Sequence, residues 1–217
     1  MIFLKWHLGL GDAIICNGLV REIAKSDDVM LPCYEHNLPT LRFMFRDLIN
    51  VSIVPVKDEV DMHSKAEENT ALEDEVLALG WYSELSFDKT KWDQELYRHA
   101  CVPWECRWSS FKVDKGADDV VQTGEFGFVH MDEARAMRIK PALLPKIQYA
   151  TPGKAESIFE FRPLIEYATE IHMIDSAFLC LADSLQLSAK RKVFHKYARE
   201  GGKSLHPTLS PGWEIIE

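Results

Sequence analysis

The sequence predicts an α/β protein built as two halves, each a parallel sheet covered by helices. Three observations carry this. Strand-length apolar runs alternate with helix-length amphipathic segments, and the chain opens on a strand, a glycine loop and a helix. A polar, glycine-containing stretch, Asp114 to Glu125, then separates this series from a second one of the same design.

Taken in order, Ile2 to Trp6 is an apolar strand, His7-Leu8-Gly9-Leu10-Gly11-Asp12 a loop, and the segment reaching Lys25 an amphipathic helix. Val29 to Cys33 reads as a strand, Leu38 to Leu48 as a helix and Val51 to Val56 as a strand with alternating apolar residues. A β-α-β-α-β series of this kind implies right-handed crossovers and a Rossmann-like sheet whose ligand edge lies at the carboxyl ends of its strands. The polar stretch Lys57 to Asn69 is expected to be an exposed loop or short helix above that edge, with the character of a lid; Thr70 to Leu79 and Trp92 to Ala100 have helical spacing. Residues 115–125 form the expected linker between halves 1–114 and 126–217. The second half runs through a strand at Phe126 to His130, a helix at Ile158 to Thr169, a strand at Ile171 to Ile174, a helix at Ala177 to Leu187 opened by Asp175-Ser176, and a final strand at Lys192 to Tyr197.

Composition narrows the class. A chain of 217 residues that is 47% hydrophobic and 27% charged can bury one large or two small cores. No run reaches the roughly 18 apolar residues of a membrane span, and no basic leader with a cleavage site opens the chain, so a cytoplasmic protein with no membrane span is expected. The net charge of −9 speaks against a surface devoted to nucleic acid. The densest basic cluster, Lys190-Arg191-Lys192 with His195, Lys196 and Arg199, reads as a solvated face or as a phosphate-binding edge. The cysteines at 16, 33, 101, 106 and 180 are odd in number and are expected to be reduced; Cys101, Cys106 and His99 lack the spacing of a zinc site. Tryptophans 6, 81, 92, 104 and 108 read as core or as platforms for a sugar or base ring.

The opening loop is neither the dinucleotide fingerprint, since Ile14 stands where the third glycine is needed, nor a P-loop, since no Gly-Lys-Ser/Thr follows. Gly9 and Gly11 permit a sharp turn and close approach of a ligand, and Asp12 at the helix start is either a cap or a site residue. Ser176, opening a helix directly after a strand, is either an N-cap or part of a phosphate site. Arg135 and Arg138, past another strand end, suit a diphosphate or a surface ion pair.

These motifs resemble a known family. His7 to Asp12 followed by an apolar helix is similar to the N-terminal loop of the ADP-heptose type, heptosyltransferase-like glycosyltransferases. Glu170-Ile171-His172-Met173-Ile174-Asp175-Ser176 looks like the strand-to-helix turn of a GT-B C-terminal half. His130-Met131-Asp132-Glu133-Ala134-Arg135 resembles a His-Asp-Asp-x-x-Arg-like stretch of small proteins of this kind, with Met131 in place of the first acid. The resemblance implies two Rossmann-like halves facing across a cleft, a reduced GT-B-like fold. Asp12 would be the general base. Arg135, Asp175, Ser176 and His130 would lie at a nucleotide-sugar donor in the C-terminal half, and the loop residues His7, Gly9 and Gly11 on the acceptor side. No cofactor is implied, and the absence of a D-x-D pair points to metal-independent transfer. The competing expectation is a nucleotide or nucleotide-sugar binding module without catalysis.

Overall fold

The computed structural model of the chain describes residues 1–71, 74–114, 124–199 and 205–217. The chain divides into two compact units, Met1–Asp114 and Lys115–Glu217. Most of the expected linker, residues 115–123, lies outside the described residues.

In the first unit β1 (Ile2–Lys5) leads into two helical segments in tandem, α1 (Leu10–Ile15) and α2 (Asn17–Ile23), which break at Cys16. The carbonyl of Ile15, freed by that break, accepts a hydrogen bond from the buried Tyr97 hydroxyl at 2.7 Å. Next come β2 (Val29–Tyr34), α3 (Leu38–Met44), β3 (Val51–Val56), α4 (Glu59–Ala71), β4 (Glu75–Ala78), α5 (Trp92–His99) and α6 (Cys106–Ser109). The strands form a parallel sheet in the order β3-β2-β1-β4. Phe3 and Leu4 from β1 and Ile14, Ile15, Leu19 and Val20 from the helices above are fully buried, so an apolar strand and the matching helix stripe account for the core. Trp6 is buried too, its indole N–H donating to the Pro32 carbonyl at 2.9 Å.

The sheet corrects two expectations in this half. Of the two readings of Lys57 to Asn69, loop or short helix, the structure takes the helix and extends it: Asp58 accepts from the Asp61 amide at 2.8 Å while Asp61 accepts from the Lys57 amide at 2.9 Å, a reciprocal cap that starts α4. Met62 and Ala66 are buried, so this segment packs on the sheet and is not a lid. Thr70 to Leu79 is not a continuous helix either. Its apolar residues recur at helical spacing, but Glu75–Ala78 pairs with Ile2–Lys5 along its whole length, and pairing with a buried strand overrides local propensity.

The second unit contains β5 (Gly127–Val129), β6 (Tyr149–Ala150), α7 (Arg162–Tyr167), β7 (Glu170–Met173), α8 (Ala177–Ser184), β8 (Arg191–His195) and β9 (Trp213–Ile216). Its parallel sheet has the order β6-β5-β7-β8-β9. The strand at 191–195 is therefore not the last, because Trp213–Ile216 pairs with it at the sheet's edge. The expected helix at 158–169 is a 3-10 turn, Ile158–Phe161, opened by a Ser157 and Glu160 capping box, followed by α7.

Candidate functional site

In an open parallel sheet a ligand binds beyond the carboxyl ends of the strands, where the order of connection reverses. The first sheet reverses between β1 and β4, because β2 and β3 lie on one side of β1 and β4 on the other. The second reverses between β5 and β7 by the same reasoning. His7 and Asp12 follow β1 at the first of these points, and His130 and Ser176 follow β5 and β7 at the second.

In the first unit the chain leaves β1 at His7 and leaves β4 at Gly80-Trp81-Tyr82. The His7 Nδ1 lies 3.0 Å from the Asp12 Oδ2. Asp12 is in the first turn of α1, whose N-cap is Gly9 and has no side-chain cap. The carboxylate is thus the partner of the histidine and, as an acid in the first turn, also faces the positive end of the helix. Gly9 has an ordinary φ of −66°, so its role is not the sharp turn expected of it. A Cβ there would stand 2.4 Å from Asp12 Oδ2 and 3.1 Å from His7 Nδ1, so glycine leaves room for the pair. Gly11 lies inside α1. The Asp12 hydrogen bond holds the His7 imidazole above its usual range, against the opposing effect of burial, with a smaller contribution from Glu59 at the start of α4. The Tyr82 phenol is pushed well up by burial and then by the Glu59 carboxylate. Trp81 is 47% exposed, with its ring 6.4 Å from that of His7. Glu59 and Tyr82 were not distinguished as site residues by sequence, and Trp81 only as one of five tryptophans read as core or platform, because only the parallel pairing of β4 with β1 carries Trp81 to His7.

In the second unit His130 follows β5 and Ser176 follows β7. The Ser176 hydroxyl lies 3.1 Å from His130 Nδ1 and donates to the Ile174 carbonyl at 3.3 Å. It makes no cap to α8, so the expected N-cap bond is absent and the helix start is not filled by its own serine. His130 stacks on Phe178 at 4.3 Å, and burial pulls its imidazole down to about 4. Asp175 accepts from Arg199 Nη1 at 3.2 Å. Arg135 is not brought to this group: it sits 71% exposed in the turn between Asp132 and Met137, paired with Asp132 at 3.5 Å.

Much of the basic cluster is paired with acids. Arg191 pairs with Glu170 at 2.7 Å and Glu214 at 3.0 Å, Lys196 with Glu217 at 2.9 Å, and Lys190 with Glu125 at 3.6 Å. Of the cluster, Arg199 stands beside the start of α8. Among the described residues no group of three or more His, Cys, Asp or Glu side chains is placed to hold a metal ion, and no helix is long and apolar enough to cross a membrane.

His172 and His195 form a buried chain: Glu170 accepts from His172 Nε2 at 2.9 Å, which leaves His172 Nδ1 to accept from His195 Nε2 at 2.8 Å. His195 Nδ1 has no partner. A proton added there would be buried without an acceptor, and burial pulls the His195 imidazole down to about 4. With folded values near 4 for His130 and His195 and about 6.5 in the unfolded chain, the unfolded state binds more protons below pH 6.5. Stability is therefore expected to be level above that pH and to fall by about 2 kcal/mol per imidazole between pH 7 and pH 5. Urea titrations at the two pH values check this, and His195→Phe is expected to make the fall shallower.

The fold and its two strand-end sites define an α/β protein with a GT-B-like fold. The chain is similar in structure to the crystal structure of a glycosyl transferase family 9 protein from Veillonella parvula DSM 2008, with a TM-score of 0.62 over 99% of this chain and 86% of that one, at 11% identity. At that identity the likeness is one of fold. No protein-family model matches the sequence, and no curated protein matches it.

Proposed function

We propose that this protein is a glycosyltransferase that moves a sugar from a nucleotide-sugar donor to a hydroxyl-bearing acceptor without a divalent ion. The donor belongs to the second unit. The start of α8 offers amide groups not capped by Ser176, with the Ser176 hydroxyl and the Arg199 guanidinium beside them, and these suit a diphosphate whose charge grows as the sugar leaves. That open helix start at the reversal point of the sheet, in a chain whose fold matches a glycosyltransferase over 99% of its length, is the observation that carries the reading. Asp175 holds Arg199 and His130 holds Ser176. The acceptor belongs to the first unit, where the His7 and Asp12 pair supplies the carboxylate that proton removal requires.

The test is calorimetry with nucleoside diphosphates and their sugars, with and without chelator, together with a transfer screen. A nucleoside diphosphate is expected to bind in either condition, and Arg199→Ala to weaken it by about 1.5–3 kcal/mol, the scale of a charge-assisted hydrogen bond. Arg135→Ala is expected to cost less, because exposed charges are screened. Absence of binding by every nucleotide overturns the reading. Binding with neither transfer nor slow donor hydrolysis reduces the protein to a nucleotide-sugar binding module.

A further inference from the structure

We propose that the group which takes the acceptor's proton is the His7 imidazole, through Nε2, and that Asp12 is its positioning carboxylate. This rests on the transferase reading and changes which atom meets the substrate.

Geometry comes first. Asp12 Oδ2 can only accept, so at 3.0 Å it takes the proton of His7 Nδ1, in preference to the longer 3.4 Å approach of the Gly9 amide to the same nitrogen, and leaves the lone pair on Nε2. The His7 side chain is 50% exposed and that of Asp12 19%. A hydroxyl approaching the carboxyl ends of β1 and β4 therefore finds the imidazole more open than the carboxylate. Glu59 from α4 also favours the imidazolium, and burial together with Glu59 and Asp12 keeps the Tyr82 phenol, over whose ring the Lys5 Nζ lies at 5.7 Å, neutral. The exposed Trp81 ring beside it offers a flat apolar face of the kind on which a sugar ring stacks.

Base strength points the same way. The Asp12 hydrogen bond raises the His7 imidazole above its ordinary range, toward the pH at which a general base is most effective. As the acceptor oxygen bonds to the anomeric carbon, its proton passes to Nε2. The anomeric carbon–oxygen bond to phosphate breaks, and its electron pair leaves with the nucleoside diphosphate. Asp12 stays ionised beside the imidazolium, which then returns its proton to solvent. Gly9 fits this arrangement, since any side chain there would push the pair apart.

Two measurements on the full chain decide the matter. Nitrogen-15 spectra of the histidine rings are expected to show neutral His7 protonated on Nδ1, with a titration midpoint above about 6.5 that drops in Asp12→Asn. The opposite tautomer, or a midpoint unmoved by Asp12→Asn, overturns the pair whatever the activity. In turnover, His7→Gln and Asp12→Asn are each expected to lower kcat by about 100-fold or more with the donor KM nearly unchanged, and the double variant to be little worse than either single one. The acid limb of the kcat profile should follow the His7 midpoint. Activity kept by His7→Gln and lost by Asp12→Asn makes Asp12 the base and overturns the proposal. A wild-type protein that transfers no sugar fails the transferase reading instead, and the spectrum tells the two failures apart.

Discussion

Replacing Arg107 by methionine is expected to destabilise the protein by about 3–5 kcal/mol, measured by urea unfolding. Arg107 is fully buried, donates to Asp93 Oδ2 at 3.0 Å, and lies between the rings of Trp104 and Trp108 at 5.2 and 4.9 Å. Asp93 is itself 1% exposed and accepts from the Gln94 amide at 3.0 Å, so removing the guanidinium takes the counter-charge away from a buried carboxylate. The cost comes from that uncompensated charge more than from the lost attraction. The double variant Asp93→Leu with Arg107→Met is therefore expected to recover at least half of the loss, since a buried ion pair and a packed apolar pair differ little. A single variant as stable as wild type would mean that Asp93 finds other partners at no cost. These tryptophans thus belong to a packed cluster, with Tyr97 edge-on to Trp104 at 5.1 Å, while the exposed Trp81 keeps the platform reading.

Gly18→Ala is expected to cost about 3 kcal/mol. In an ordinary helix this change stabilises by up to about 1 kcal/mol, so the predicted sign is reversed. The reason is the contact of α2 with α6: a Cβ on Gly18 would lie 1.9 Å from the Cys106 carbonyl oxygen and 2.8 Å from its carbon. Both are backbone atoms that cannot turn aside, so the two helices must separate. The α2 helix is also tied down through Arg21, which grips Asp47 with two nitrogens at 3.0 and 2.9 Å, and through Asn17, which accepts from the Lys112 amide at 3.0 Å. Thermal unfolding of the variant near the wild-type temperature would show that this contact yields easily.

Local pattern alone determined a good part of this protein. The opening strand, loop and helix, the strands at 29–34 and 51–56, the helix at 92–99 and the strand-to-helix turn at 173–177 follow from apolar periodicity and from glycine, serine and acid at the turns, because those signals act between neighbours in the chain. The positions of Asp12, His130 and Ser176 at strand ends were legible for the same reason. Only the tertiary structure decided what is not local. Glu75–Ala78 became a strand because β1 had an unpaired edge, and Trp213–Ile216 closed the other sheet for a like reason. The order of strands set where each sheet reverses, and so brought Trp81 and Tyr82 to His7 and Ser176 to His130. It also made Asp12, read as a cap or a site residue, the partner of a histidine and left Arg135 in the open while Arg199 reached Asp175. Spacing along the chain sets which residues a helix or strand presents; distance in space between different elements is set by sheet order and packing, which no local pattern encodes.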